Sequence, residues 1–152
     1  MKDMFDEKIA LFHKEAKDQQ EALKLLCDEF VQKGIVEEDF YQQILLREKE
    51  YSTGIRVNDL CIALPHTDPE YTKRCQVGFL SLKEPVEFVE MGSDDQKIPV
   101  KMIFMFAIDD TARQLDFMSR LMEAFKNEGL MKRFEQAEDI DTYLELIREA
   151  GF

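Results

Sequence analysis

A chain of 152 residues is the usual size of one domain with one sizeable core, and 45% hydrophobic with 34% charged residues is ordinary for a globular protein. A net charge of −12 argues against nucleic acid and against anionic lipid surfaces, both of which are gripped by Lys and Arg. The longest clean apolar run, Met102 to Ile108, falls far short of the ~20 residues needed to cross a bilayer, so no direct membrane insertion is expected.

Met1 to Ala10 is polar and charged and does not read as a signal peptide. "KIALFH", Lys8 to His13, reads as a first strand. "KDQQEALKLLCDEFVQKG" places Ala22, Leu23, Leu26, Cys27 and Phe30 at helical spacing, and Gly34 stops the run. "EEDFYQQILLRE" predicts a second helix with acids in its first turn and Phe40, Tyr41, Ile44 and Leu45 as its buried stripe. "KEYSTGIRVND" breaks the pattern and reads as a loop around Gly54. "LCIAL" is a short buried strand stopped by Pro65, and "CQVGFLSL" is another.

"KEPVEFVEMGSDDQK" reads as a long surface connection with a short extended piece at Val86 to Val89. "IPVKMIFMFAI" is the most apolar segment and predicts a central strand covered on both faces. Leu115, Met118, Met122 and Phe125 mark one face of a helix that Asp109 or Asp110 can cap. "GLMKRFEQA" is a short helix or turn, and Ile140, Tyr143, Leu144 and Ile147 mark a last helix from about Asp139. With no repeat and no linker, residues 1–152 read as a single α/β domain: one mixed β-sheet covered by helices on both faces.

Few residues can carry chemistry. Cys27, Cys61 and Cys75 form no CxxC pair and no zinc spacing, and read as reduced thiols of a cytoplasmic protein. No HxH, HxxxH or HExxH spacing suggests a metal, so none is expected. No GxSxG elbow and no GxxxxGK[ST] or GxGxxG phosphate loop occurs. His13 has nothing local to support a function. His66 directly follows a strand, at the carboxyl end where α/β sheets collect ligands. Pro65 holds it on a stiff lead, and Thr67 or Asp68 could orient its ring. From spacing alone a satisfied polar residue is the commoner case. A pairing of His66 with Cys61 or Cys75 is conceivable, though the Cys61 geometry would be strained. A neutral imidazole could also attack phosphorus itself, and one adjacent cation would outweigh remote, screened acid. Arg47 is that candidate cation, its bland alternative being a surface pair with Glu48 or Glu50.

"RE" at Arg47–Glu48, "STG" at Ser52 to Gly54 and "IALPH" at Ile62 to His66 occur in this order and spacing, followed by "PVEFVEMG" at Pro85 to Gly92. Together they resemble the enzyme IIA domain of the sugar phosphotransferase system (PTS EIIA type 2, the mannitol/fructose class), over nearly the whole chain. "PHTD", "VEFVEMG" and "RQL" look most like the galactitol-type branch. The resemblance implies the mannitol/fructose-like fold and a cytoplasmic phosphoryl carrier without cofactor. His66 would accept phosphate from HPr and pass it to an enzyme IIB, serving a membrane enzyme IIC indirectly. Arg47 would steady the phosphoryl group, with Thr53, Thr67 and Gln114 as weaker hydrogen-bond donors nearby. Gln114 stands where mannitol-type members carry a second active-site histidine, Ser52 where proline is frequent, and Thr67 where a small residue is frequent. A nitrogen-type regulatory protein, using the same phosphohistidine as a signal, is the alternative reading.

Overall fold

The computed structural model describes residues 2–152. Its sheet has five strands: β1 (Ile9–Lys14), β2 (Gly54–Val57), β3 (Leu60–Ala63), β4 (Gln76–Val89) and β5 (Lys97–Ala107). They lie in the order β1-β4-β5-β3-β2, so the apolar β5 is central, as its sequence predicts. β5 runs antiparallel to β4 and parallel to β3, which makes the sheet mixed.

Strand alternation gives β5 two apolar faces. Ile103, Met105 and Ala107 pack with helices α1 (Gln19–Gln32) and α2 (Phe40–Glu50). Met102, Phe104, Phe106 and Ile108 pack with α3 (Thr111–Ala124), α4 (Glu128–Gln136) and α5 (Ile140–Glu149). Helices therefore cover both faces. Each fully buried Phe or Met contributes ~1.5–3 kcal/mol, which explains why β5 carries no polar alternation. Asp18, Asp110, Asn127 and Asp139 cap α1, α3, α4 and α5 by accepting backbone N–H bonds.

Several expectations need correction. The stretch after Gly54 is not loop but β2, which pairs with β3 from Gly54↔Ala63 to Val57↔Leu60. A four-residue edge strand shows too little alternation to be legible, and Asn58, at φ 57°, supplies the tight turn. The piece at Val86 to Val89 is no separate element. It is the end of β4, which resumes pairing with β5 after an irregularity between Ser81 and Val86.

In α2 the acids precede the first turn, and the buried residues are Phe40, Ile44 and Glu48, with Tyr41 and Leu45 only half-buried. In α3 the buried face is Gln114, Phe117 and Leu121, continued by Phe125 beyond the helix end, while Leu115 and Met122 are exposed. Two stripes one residue apart both satisfy helical spacing there. The polar Gln114 disguised the one that faces the sheet.

Candidate active site

The site begins at the end of α2. Tyr51 N–H closes the helix on the Arg47 carbonyl at 2.8 Å. The chain then turns back, and the Glu48 carboxylate receives both the Thr53 N–H and the Thr53 hydroxyl, each at 2.8 Å. Gly54 is required by proximity, since a Cβ there would sit 2.8 Å from the Val89 carbonyl oxygen. The same glycine's own carbonyl accepts from Met91 N–H at 2.7 Å, which docks the edge of the sheet.

β3 then delivers the histidine. Leu64 N–H is shared between the Thr53 carbonyl (3.3 Å) and the Thr53 hydroxyl oxygen (3.2 Å). Pro65 has no N–H to offer, but its carbonyl accepts from Phe106 N–H at 3.3 Å, holding the exit against β5. His66 follows, half-buried, with its ring stacked on Phe106 at a centroid distance of 4.5 Å and an interplanar angle of 15°.

Its Nδ1 lies 2.8 Å from the Leu64 carbonyl oxygen. A carbonyl only accepts, so Nδ1 carries the proton, and in the neutral ring Nε2 keeps a free lone pair. The backbone, not Thr67 or Asp68, orients the ring. Burial holds the His66 pKa below its ordinary value, the Leu64 bond opposes this, the Arg47 charge adds to it, and Asp68 opposes it. The site thus favours a neutral imidazole.

Arg47 pairs with neither neighbouring glutamate. One terminal nitrogen lies 3.4 Å from an Asp68 oxygen, and the guanidinium sits over the Tyr51 ring, 4.4 Å from its centroid. Its Nε is shielded from solvent and makes no hydrogen bond among the described residues.

The three weaker candidates are close by but occupied. The Thr53 hydroxyl is held between Glu48 and Leu64. Thr67 is buried, its hydroxyl turned toward the Gln43 carbonyl at 3.5 Å. Gln114 donates its side-chain amide to the Thr67 carbonyl (2.9 Å) and the Ile108 carbonyl (3.1 Å). Both amide hydrogens are therefore engaged, and Gln114 latches α3 to the His66 loop.

Elsewhere, His13 donates from Nε2 to the Glu135 carbonyl at 3.0 Å, a structural tie between β1 and α4. Cys27 and Cys61 are buried and burial pushes both thiols up, so neither is a ready nucleophile. Among the described residues no group of three or more His, Cys, Asp or Glu could hold a metal ion. No described helix is long and apolar enough to cross a membrane. A cleft of about 640 Å³ between α1, α2 and the β4–β5 turn is bordered by Glu48 and Ser52, not by His66.

A neutral imidazole with one free nitrogen, beside an arginine, suits attack on phosphorus. The family model described as "Phosphoenolpyruvate-dependent sugar phosphotransferase system, EIIA 2" matches residues 3–150. The chain belongs to this family. It is a phosphotransferase component of the phosphoryl-carrier type.

This EIIA is 27% identical over 101 residues to the galactitol-specific EIIA component of Escherichia coli K12, covering 66% of this chain and 67% of that one. It is 28% identical over 134 residues to the ascorbate-specific EIIA component of Salmonella choleraesuis, covering 88% and 84%. Its fold matches the mannitol enzyme IIA of Escherichia coli, solved in complex with phosphorylated enzyme IIB. The TM-score is 0.73 at 23% identity, over 93% of this chain and 95% of that one.

Sequence reasoning gave no place in the site to Phe106, Tyr51 or the Leu64 carbonyl, and met Glu48 only in "RE" and as a surface partner for Arg47. Glu48 alone left a trace: an acid at a helix end, five residues before a threonine, can fold back to accept its donors.

Proposed function

We propose that this EIIA accepts a phosphoryl group on Nε2 of His66 from phospho-HPr and passes it to a cognate enzyme IIB. The observation that carries the proposal is the Nδ1–H bond to the Leu64 carbonyl, which leaves Nε2 as the nucleophile. The Nε2 lone pair forms the new N–P bond as the donor's P–N bond breaks. The donor ring, protonated on its other nitrogen, departs as a neutral imidazole with that electron pair, and His66 keeps its Nδ1 proton on the Leu64 carbonyl as a phosphorylated imidazolium. No general base is needed. Arg47 exchanges its loose contact with Asp68 for the phosphoryl oxygens, where a planar guanidinium fork fits.

Gln114, Thr53 and Thr67 stand behind His66 and Arg47 and hold the backbone of the site. The reaction serves a cytoplasmic carrier that feeds a membrane enzyme IIC through IIB. Galactitol-type transport is the pathway favoured by "PHTD" and "RQL". The galactitol-specific relative supports it, while the ascorbate-specific relative is similar at nearly the same identity.

The test is incubation with phosphoenolpyruvate, enzyme I and HPr, followed by mapping of the acid-labile phosphate. His66→Ala is expected to take up no label, and persistent labelling of that variant would overturn the assignment. Offering the phosphorylated protein to galactitol-type and ascorbate-type IIB proteins tests the pathway. Transfer to neither would favour the regulatory reading.

A further inference from the structure

Glu48 is a buried acid that the transfer reaction itself leaves without a task. It is only 6% exposed. Both of its oxygens are engaged by Thr53, through the N–H and the hydroxyl. The Thr53 hydroxyl oxygen accepts from Leu64 N–H, and the Leu64 carbonyl accepts from His66 Nδ1–H. Hydrogen bonds thus run from Glu48 to Thr53, from Thr53 to Leu64, and from Leu64 to the ring. They start one residue from Arg47 and end on the candidate nucleophile.

Stability alone is a poor reason for this acid. Burying a carboxylate is expensive, and an apolar side chain of similar volume often does as well or better. A fully bonded buried network does something an apolar contact cannot, which is to select one geometry. Here the geometry selected is the backbone of Leu64, whose N–H and carbonyl lie on consecutive peptide groups joined at its Cα, and the direction of that carbonyl sets which nitrogen of His66 holds the proton.

We infer that Glu48 and Thr53 are positioning residues for phosphoryl transfer. They fix the backbone on both sides of the Leu64 Cα so that its carbonyl holds His66 in the Nδ1–H tautomer, and they tie that backbone to the helix end bearing Arg47. This rests on His66 being the acceptor. Thr53→Val removes the hydroxyl from the chain, yet leaves Leu64 N–H its backbone partner, the Thr53 carbonyl at 3.3 Å. Strand pairing therefore survives while the clamp is lost. Thr53→Ser restores the hydroxyl.

The experiment uses the full chain carrying T53V, T53S or E48Q, with three readouts. These are thermal melting, the nitrogen-15 signals of both histidines, and kcat and KM for transfer from phospho-HPr. In T53V the His66 signals are expected to move from the Nδ1–H form to a mixture of tautomers. His13, bonded through Nε2 to Glu135, is the unmoved internal reference. kcat is expected to fall roughly tenfold, the factor for one hydrogen bond to a charged group, with KM changing less than about twofold. T53S is expected to recover both.

A T53V protein with parental His66 signals and parental kcat would overturn the inference. So would a T53S protein as slow as T53V at equal melting temperature. If T53V does not fold, E48Q is read in its place. Its amide N–H₂ faces one of the two Thr53 donors, so the same mixture is expected, and an unchanged tautomer refutes the clamp. The tautomer is measured without phosphate. A failure of the acceptor assignment, seen as labelling of His66→Ala, is therefore distinct from a failure of the clamp.

Discussion

Replacing Arg47 with alanine separates its work in the fold from its work in transfer. In the fold it makes one ion pair, 3.4 Å from Asp68, with the two side chains 36% and 57% exposed. Such pairs contribute ~0.2–1 kcal/mol. Its position 4.4 Å over the Tyr51 ring contributes ~0.5–1 kcal/mol at a partly exposed site. The sum is about 1 kcal/mol, which lowers Tm by ~2–4 °C in a chain of this length. Asp68 is exposed and is not stranded by the change.

In transfer the loss is larger. One charge-assisted hydrogen bond to the phosphoryl group is worth ~1.5–3 kcal/mol, so the rate falls roughly ten- to hundredfold. Arg47→Lys keeps the charge but not the fork, and lies between. The assay is single-turnover labelling from phospho-HPr by rapid quench, with a thermal melt on the same sample. A rate within about twofold of the parent would remove Arg47 from the site. A Tm fall of more than ~10 °C would show that its role is structural.

Two further outcomes follow from the charges around His66. Its folded-state pKa lies below 6.5, mainly through burial, so as pH falls the unfolded chain binds a proton that the native ring resists. His66 thus costs nothing above its unfolded pKa and lowers stability as pH falls from ~6.5 toward the folded value. Denaturant melts at pH 7 and pH 5 are expected to show a larger loss for the parent than for His66→Gln, and equal losses refute the shift. Asp68→Asn frees Arg47 from its competitor and removes a negative charge beside the phosphoryl group. The phosphohistidine is expected to hydrolyse roughly two- to fivefold more slowly at low salt, the span of one exposed pair, with the gain shrinking in salt. Faster hydrolysis would show that Asp68 supports the phosphorylated state.

What the sequence determined by itself is local or periodic. The apolar run from Met102 to Ile108 demanded a central strand covered on both faces. The helical stripes of α1 and α5, with Asp139 as a cap, were legible because each is set by neighbours within one or two turns. His66 stood out as an imidazole behind a proline at a strand end and Arg47 as its candidate cation, while Gly54 entered the site only through the resemblance of "RE", "STG" and "IALPH" to the EIIA family.

What only the tertiary structure decided depends on contacts between distant segments. The edge strand β2 exists because β3 pairs with it and the β4 end docks on Gly54, and no four-residue pattern announces that. The buried face of α3 was set by Gln114, whose polar side chain is buried because two backbone carbonyls, from Thr67 and Ile108, need its donors. The proton on Nδ1 of His66, the stacking on Phe106 and the chain back to Glu48 all arise the same way. A hydrogen bond is specified by where two groups meet in space, and the chain of residues alone does not state that.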